Sequence, residues 1–161
     1  MPNPPTVNWC GEVLWLHLCP RAFLPMKAQS NVLLIPEVGI AGDRYASGCG
    51  FYSDRPEPGR QITFFEVETL EALARDHELR LSPEDHRRNV TTRGVPLNHL
   101  VDHRFRVGSA LLEGTRLSTP CRHIEQITGK EVFAAFLNRC GLHARIIAGG
   151  PIHVGDRIAP A

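Results

Sequence analysis

The chain has 161 residues, 42% of them hydrophobic and 22% charged, and a formal net charge of +1. This is ordinary globular composition, and at this length one core buries roughly 70% of the surface of the unfolded chain, so a single domain over residues 1–161 is expected. The near-neutral total argues against nucleic acid or an acidic membrane as a partner, and no run reaches the ~18 apolar residues of a membrane span.

Residues 1–6 are proline-rich and are expected to fray. Partial alternation over 7–18 predicts a strand, with Gly11 at a bend, and 32–35 predicts another, stopped by Pro36. Residues 39–59 carry five glycines, Pro56, Pro58 and both tyrosines, so an irregular surface loop over a site is expected there. Its aromatics Tyr45, Phe51 and Tyr52 read either as a mobile rim to a pocket or as a cap on the core. A compact strand follows at 61–65. Val67, Leu70, Leu73 and Ala74 then fall at helical spacing and predict an amphipathic helix over 66–77.

Ser82-Pro83-Glu84-Asp85 has the form of a helix start, and the short helix it opens would deliver Arg87, Arg88 and Asn89 at or just past its end. Strands are expected at 105–112 and 116–117 around the Gly108 turn. A second amphipathic helix is expected over 131–138, with Cys140-Gly141 as its stop. Strands at 144–147 and 152–158, separated by Gly149-Gly150-Pro151, close the chain. Many short strands, glycine turns and isolated helices predict a mostly β fold, a closed or nearly closed β-barrel with a few helical insertions.

The chemistry-bearing residues are sparse. Gly129-Lys130 lacks the surroundings of a P-loop, and there is neither a G-x-S-x-G elbow nor an H-E-x-x-H pair. His99 and His103 are four apart but have no third ligand nearby, which favours a structural role. The cysteines are Cys10, Cys19, Cys49, Cys121 and Cys140, an odd number with no Cys-x-x-Cys spacing. Reduced thiols in a cytoplasmic protein fit better than a disulfide-stapled secreted domain, and the Met-Pro-Asn-Pro-Pro start lacks the regions of a signal peptide. Cys121 stands apart, between Thr119-Pro120 and Arg122-His123 at a strand end. A thiol serves as nucleophile or metal ligand only as thiolate, and Arg122 and His123 are candidates for the cationic field that favours that form. Arg60, Arg87, Arg88, Arg93, Arg122 and Arg145 lie near strand ends and turns, where their rigid forks suit phosphate oxygens.

In this order the chain resembles the MOSC domain family, over about 39–158. The resemblance rests on Gly39-Ile40-Ala41-Gly42-Asp43-Arg44, Arg60-Gln61-Ile62-Thr63, Arg87-Arg88-Asn89-Val90 and Gly94. It continues through Phe105-Arg106-Val107-Gly108, Leu112-Glu113, Pro120-Cys121, Gly141-Leu142-His143-Ala144-Arg145 and the run from Gly149 to Asp156. It implies a bent barrel in which the cysteine at position 121 ligates molybdenum, with Arg87 and Asn89 in an Arg-x-Asn segment holding the pterin and its phosphate. Arg60, Arg88, Thr119, Arg122 and Arg145 complete the cofactor-binding set so inferred. Two functions follow from the resemblance. One is a molybdenum-cofactor oxidoreductase acting on N-hydroxylated small molecules, which needs a separate electron-transfer partner because the chain has no flavin, haem or iron–sulfur motif. The other is a sulfur carrier that holds a persulfide on Cys121, charged by a cysteine desulfurase. The chain has no pyridoxal-phosphate lysine motif of its own. Tyr45 stands where many single-domain members have histidine, which leaves the substrate open.

Overall fold

A computed structural model of the protein describes residues 8–161, so the fraying expected for 1–6 lies outside the described residues. The strands in chain order are β1 (Gly11–Leu18), β2 (Lys27–Gln29), β3 (Asn31–Ile35), β4 (Gly39–Ile40), β5 (Ile62–Glu66) and β6 (Val90–Arg93). They continue with β7 (Arg104–Val107), β8 (Ala110–Leu117), β9 (Leu142–Ala148), β10 (Gly150–His153) and β11 (Arg157–Pro160). Two α-helices interrupt them, α1 (Val67–His77) and α2 (Arg122–Thr128).

Period-two alternation builds the barrel wall. Ile62 and Phe64 of β5, Ala110 and Leu112 of β8, and Leu142, Ala144 and Ile146 of β9 all enter one buried cluster. Seven strands close around it in the order β11-β7-β8-β9-β5-β6-β1, and β11 meets β1 again at Gly11↔Ile158 and Glu12↔Arg157. β2 extends the far end of β1, and β10, β3 and β4 form a small second sheet. The expected mostly β barrel with few helical insertions is the observed fold.

All the strand pairs are antiparallel except β5–β6, which is parallel and needs a crossover. Helix α1 supplies it. Its Leu70 and Leu73 pack on the outside of the barrel against Phe65, the outward residue of β5, with Ile124, Val132, Phe136 and Cys140. The molecule thus has two cores, one inside the barrel and one between the barrel wall and its helical side.

Asn89 ties the parallel pair together. Its Oδ1 accepts from the backbone N–H (3.2 Å) and hydroxyl (3.0 Å) of Thr63, and its Nδ2 donates to the carbonyl of His17 on β1 (3.2 Å). Where β9 begins beside β5, Gly141 adopts φ +99°, and a side chain there would strike the carbonyl of Phe64.

Several sequence expectations are corrected. Residues 131–138 form successive turns instead of a helix: Val132 and Phe136 are buried at the expected spacing, but after the Phe136-to-Val132 bond the closures tighten to three residues, Leu137 to Ala134 and Arg139 to Phe136. The second helix is instead α2, opened directly after Cys121. The segment after Ser82 is a turn, because the Asp85 carboxylate accepts from the Ser82 N–H (2.9 Å) and Arg87 takes φ +61°, which stops a right-handed helix. The irregularity of β1 falls between Val13 and Trp15, not at Gly11. Strands β2 and β6 escape sequence reading because they are three and four residues long. Among the described residues no helix is long and apolar enough to cross a membrane.

Asn89→Ala should lower stability by about 2–3 kcal/mol, because it leaves several buried groups on β5 and β1 without a partner. Urea unfolding measures this. A loss below about 0.5 kcal/mol, the level of an ordinary surface substitution, would mean that water replaces the clamp.

Candidate functional site

The outward face of the barrel carries the site. Register pairs Thr63 of β5 with His143 of β9, and His143 with Arg116 of β8. These three side chains form one cross-strand row. Beside that row lies a cleft of about 140 Å³, lined also by Arg44, Tyr45, Tyr52, Arg60, Arg88, Thr119 and Cys121. Four arginines and one thiol line it, and among the described residues no carboxylate does.

Each arginine reaches the cleft by a different route. Arg44 is buried and bridges three segments, bonding the Asp43 carboxylate (3.2 Å), the Met26 sulfur (3.3 Å) and the carbonyl of Arg87 (3.1 Å). Arg88 donates to the Cys140 carbonyl (3.2 Å) and sulfur (3.3 Å). Its backbone N–H donates to Nδ1 of buried His86 (2.9 Å), which leaves His86 Nε2 as the donor to Thr91 Oγ1 (2.8 Å). The His86 ring stacks on Phe65 at 4.3 Å, so the second core fixes the turn that presents Arg88. Arg60 stacks on the Tyr52 ring (4.9 Å) and donates to the Tyr52 carbonyl (3.2 Å).

The irregular loop forms the roof. Phe51 stacks on His123 at 4.2 Å, Phe23 meets the same imidazole edge-on at 4.7 Å, and Tyr52 meets Phe51 edge-on at 4.8 Å. None of Tyr45, Phe51 and Tyr52 belongs to the barrel core: Tyr45 and Tyr52 wall the cleft, and Phe51 packs between Tyr52 and His123 beside it. Phe23 and Phe51 are exposed at the edge of this roof.

Of the residues singled out in the sequence, the structure brings Cys121, Arg60, Arg88 and Thr119 together in the cleft. Arg87 and Asn89 lie behind it. Arg87 donates to the Leu24 carbonyl (2.7 Å) and the Cys19 sulfur (3.6 Å), and Asn89 is the clamp described above. Arg122 points away to Glu125 (3.3 Å) and the Phe133 ring (5.5 Å), and its side chain is 78% exposed. Arg145 pairs with Glu113 (2.9 Å) on a neighbouring surface cavity. Neither flank of Cys121 supplies the expected cationic field. Arg122 is turned outward, and His123 is neutral at pH 7, because burial and then Arg87, Arg44 and Arg88 push it down to about 4. The positive charge comes from Arg44, Arg60, Arg88 and Arg116.

Arg116, His143 and Thr63 were not singled out as site residues in the sequence, whereas Tyr52, expected as part of a pocket rim or a core cap, lines the cleft. The alternation of β8 and β9 was the available signal for the first two, but register across three strands is needed to place them in one row. His143 is held down to about 2 by burial and then by Arg88, Arg116 and Arg60, and among the described residues its buried Nδ1 has no partner. Burial, then hydrogen bonding to Cys121, pushes the Tyr52 phenol up to about 12. The remaining cysteines are free: Cys10 and Cys49 are exposed, and Cys19 and Cys140 are buried. His99 and His103 border a separate cavity with Trp9 and Leu100.

The family model described as the MOSC domain matches residues 52–159. The YuaD protein from Bacillus subtilis superposes with a TM-score of 0.77 at 20% identity, covering 94% of this chain and 97% of that one. YiiM from Geobacillus stearothermophilus gives a TM-score of 0.71 at 11% identity, over 94% and 75% of the two chains. YiiM from Escherichia coli gives 0.67 at 18%, over 96% and 70%. At these identities the likeness to solved structures is one of fold. No curated protein matches the chain.

The depressed histidines make stability depend on pH. His86, held well below its usual value by burial and then Arg88, joins His123 and His143 in folding neutral, while the unfolded chain takes up protons near 6.5. Their contribution is complete above about pH 6.5 and is lost progressively as pH falls toward the folded values. The urea midpoint should therefore drop between pH 7 and 5, and the His123 imidazole should titrate near 4 by NMR. A His123 midpoint near 6.5 would show that burial and the arginines do not act on it.

Proposed function

Because the chain belongs to the MOSC domain family, which is associated with the molybdenum cofactor, we propose that the cleft beside Cys121 binds this cofactor through its thiolate. The observation that carries the reading is the donor set: one soft sulfur beside four guanidiniums, with no carboxylate lining the cleft. The set fits a metal held by sulfur on an organic group that bears a phosphate. The cleft alone falls below the roughly 300–1,000 Å³ of small-molecule sites. Tyr45 and Arg60 also border a second cavity of about 360 Å³, which supplies the remaining room.

Cys121 is the ligand in this reading, and when bound the cofactor supplies two-electron redox chemistry that ordinary side chains lack. The chain's own residues bind, orient and exclude. Arg88 and Arg44 offset negative charge beside the sulfur, and Arg60 and Arg116 meet phosphate oxygens. Tyr52 stays protonated far above neutral pH and donates, while His143, neutral with a free Nδ1, offers an uncharged contact deep in the cleft. Arg87 and Asn89 act from behind by fixing the Arg88 turn and Thr63. The Phe51–His123 stack supports Tyr52 from outside the cleft, and a flat, heteroatom-rich substrate suits the Tyr45 and Tyr52 walls. The reaction class is reduction of N-hydroxylated small molecules, with electrons delivered by a separate protein.

A second reading is sulfur carriage. Cys121 is half-buried and is the only cysteine lining the cleft, so a desulfurase could load it with sulfane sulfur without metal.

Elemental analysis of protein purified from a host that makes the cofactor separates the two. Wild type should carry molybdenum and Cys121→Ser, nearly isosteric, should fold and carry none. Arg88→Ala should weaken cofactor binding by roughly 1.5–3 kcal/mol. Sulfane sulfur without molybdenum in wild type selects the carrier. Equal losses from Cys10→Ser, Cys19→Ser, Cys49→Ser or Cys140→Ser would sink both readings of Cys121.

A further inference from the structure

The two arginines on the open side of the cleft share an acid that belongs to the roof. Glu57 Oε1 accepts from Arg116 Nε (2.8 Å) and lies 2.6 Å from its Nη2 as an ion pair, and the same oxygen lies 3.4 Å from Arg60 Nε. The third contact is an ion pair without hydrogen-bond geometry, so the buried Arg60 N–H stays unsatisfied. One carboxylate oxygen is thus divided between two guanidiniums and serves only Arg116 well.

Position and charge complete the picture. Arg60 and Arg116 both line the Cys121 cleft, whereas Glu57 borders the two cavities outside it, of about 360 and 400 Å³. Glu57 therefore stands where the cleft meets the surrounding surface. It is carried by the irregular loop, and its side chain is 36% exposed against 14% for Arg60. Glu57 and Arg116 are half-buried and still reached by water, which screens their attraction, and the Arg60 contact lacks hydrogen-bond geometry, so the carboxylate yields to a better anion. A phosphate monoester has three terminal oxygens and a larger charge, enough to satisfy both forks at once.

We propose that Arg60 and Arg116 form an oxyanion seat for a phosphate monoester, and that Glu57 is its resident counter-anion, displaced when the ligand's phosphate enters. The assignment rests on the reading of the cleft as an anion-binding site and adds its entrance and its internal competitor. Loop and ligand then exchange places: filling the seat frees Glu57, and an empty seat holds the roof down.

The test is calorimetric titration with inorganic phosphate, at fixed ionic strength, of wild type, Glu57→Gln, Glu37→Gln and the double variant Glu57→Gln/Arg116→Ala. Glu37 borders the same outer cavity and its removal changes the net charge equally, but it pairs with neither arginine. Glu57→Gln should tighten phosphate roughly three- to tenfold, Glu37→Gln should leave it within about twofold, and Arg116→Ala should erase the gain. Equal tightening by both glutamines would reduce the effect to net charge and overturn the proposal, as would no gain from Glu57→Gln. Wild-type binding too weak to register beside measurable binding by Glu57→Gln supports it. Molybdenum does not enter the titration, so an intact phosphate result with no molybdenum in purified protein fails the cofactor reading alone.

Discussion

The buried Asp43–Arg44 pair is the joint on which the cleft depends. Asp43, only 1% exposed, accepts from its neighbour's guanidinium (3.2 Å) and from the backbone N–H groups of Cys19 (3.3 Å) and Tyr45 (3.4 Å). Arg44 donates also to Met26 and to the carbonyl of Arg87, which sits in a left-handed conformation that a non-glycine residue resists. The roof loop, the segment after β1 and the turn before β6 are thereby locked to one another. Removing either partner leaves a buried charge uncompensated, a loss of about 3–5 kcal/mol in comparable cases. The barrel core does not include either residue, so the cost falls first on the geometry of the cleft.

A second constraint is the parity of β5. Ile62 and Phe64 face the barrel interior, Thr63 faces the cleft row and Phe65 faces the helical core. A shift of one residue would exchange these roles and put a hydroxyl in the barrel. Asn89, just before β6, fixes that register by accepting from the backbone N–H and the hydroxyl of Thr63. The residue that resembles a cofactor contact in the sequence is thus also the one that sets which face of β5 the cleft sees.

The sequence made the barrel legible because alternation and glycine turns are local. The 66–77 helix was equally clear from its spacing, and Cys121 was identifiable from its strand-end position together with the ordered motifs. What it concealed is non-local. Arg122 adjoins Cys121 in the chain, but the helix that starts there turns it outward, whereas Arg88, thirty-three positions away, is turned inward by His86. Arg116 and His143 enter only through pairing across β8, β9 and β5. The Asp43-Arg44 dipeptide was legible as a motif, while its reason, a buried bridge among three segments, needed coordinates. Short helices were the least readable: 131–138 has helical burial but only one four-residue bond, from Phe136 to Val132, and α2 carries only Ile124 as a buried residue.

The seam between β1 and β11 has a kinetic meaning. It joins Gly11 to Ile158 and Glu12 to Arg157, two register pairs separated by nearly the whole described chain. During synthesis the barrel stays an open sheet until β11 is available, because its last edge has no earlier strand to meet. The strands that carry the cleft, β5, β8 and β9, pair in the middle of that sheet, so their register is set before the ring shuts. Beyond those pairs, Val13 donates to the Asp156 carbonyl (2.9 Å) and accepts from the Gly155 N–H (2.8 Å), so the turn before β11 helps to fasten the ring. A break at this seam would expose the edge of β1 without unpairing the cleft row.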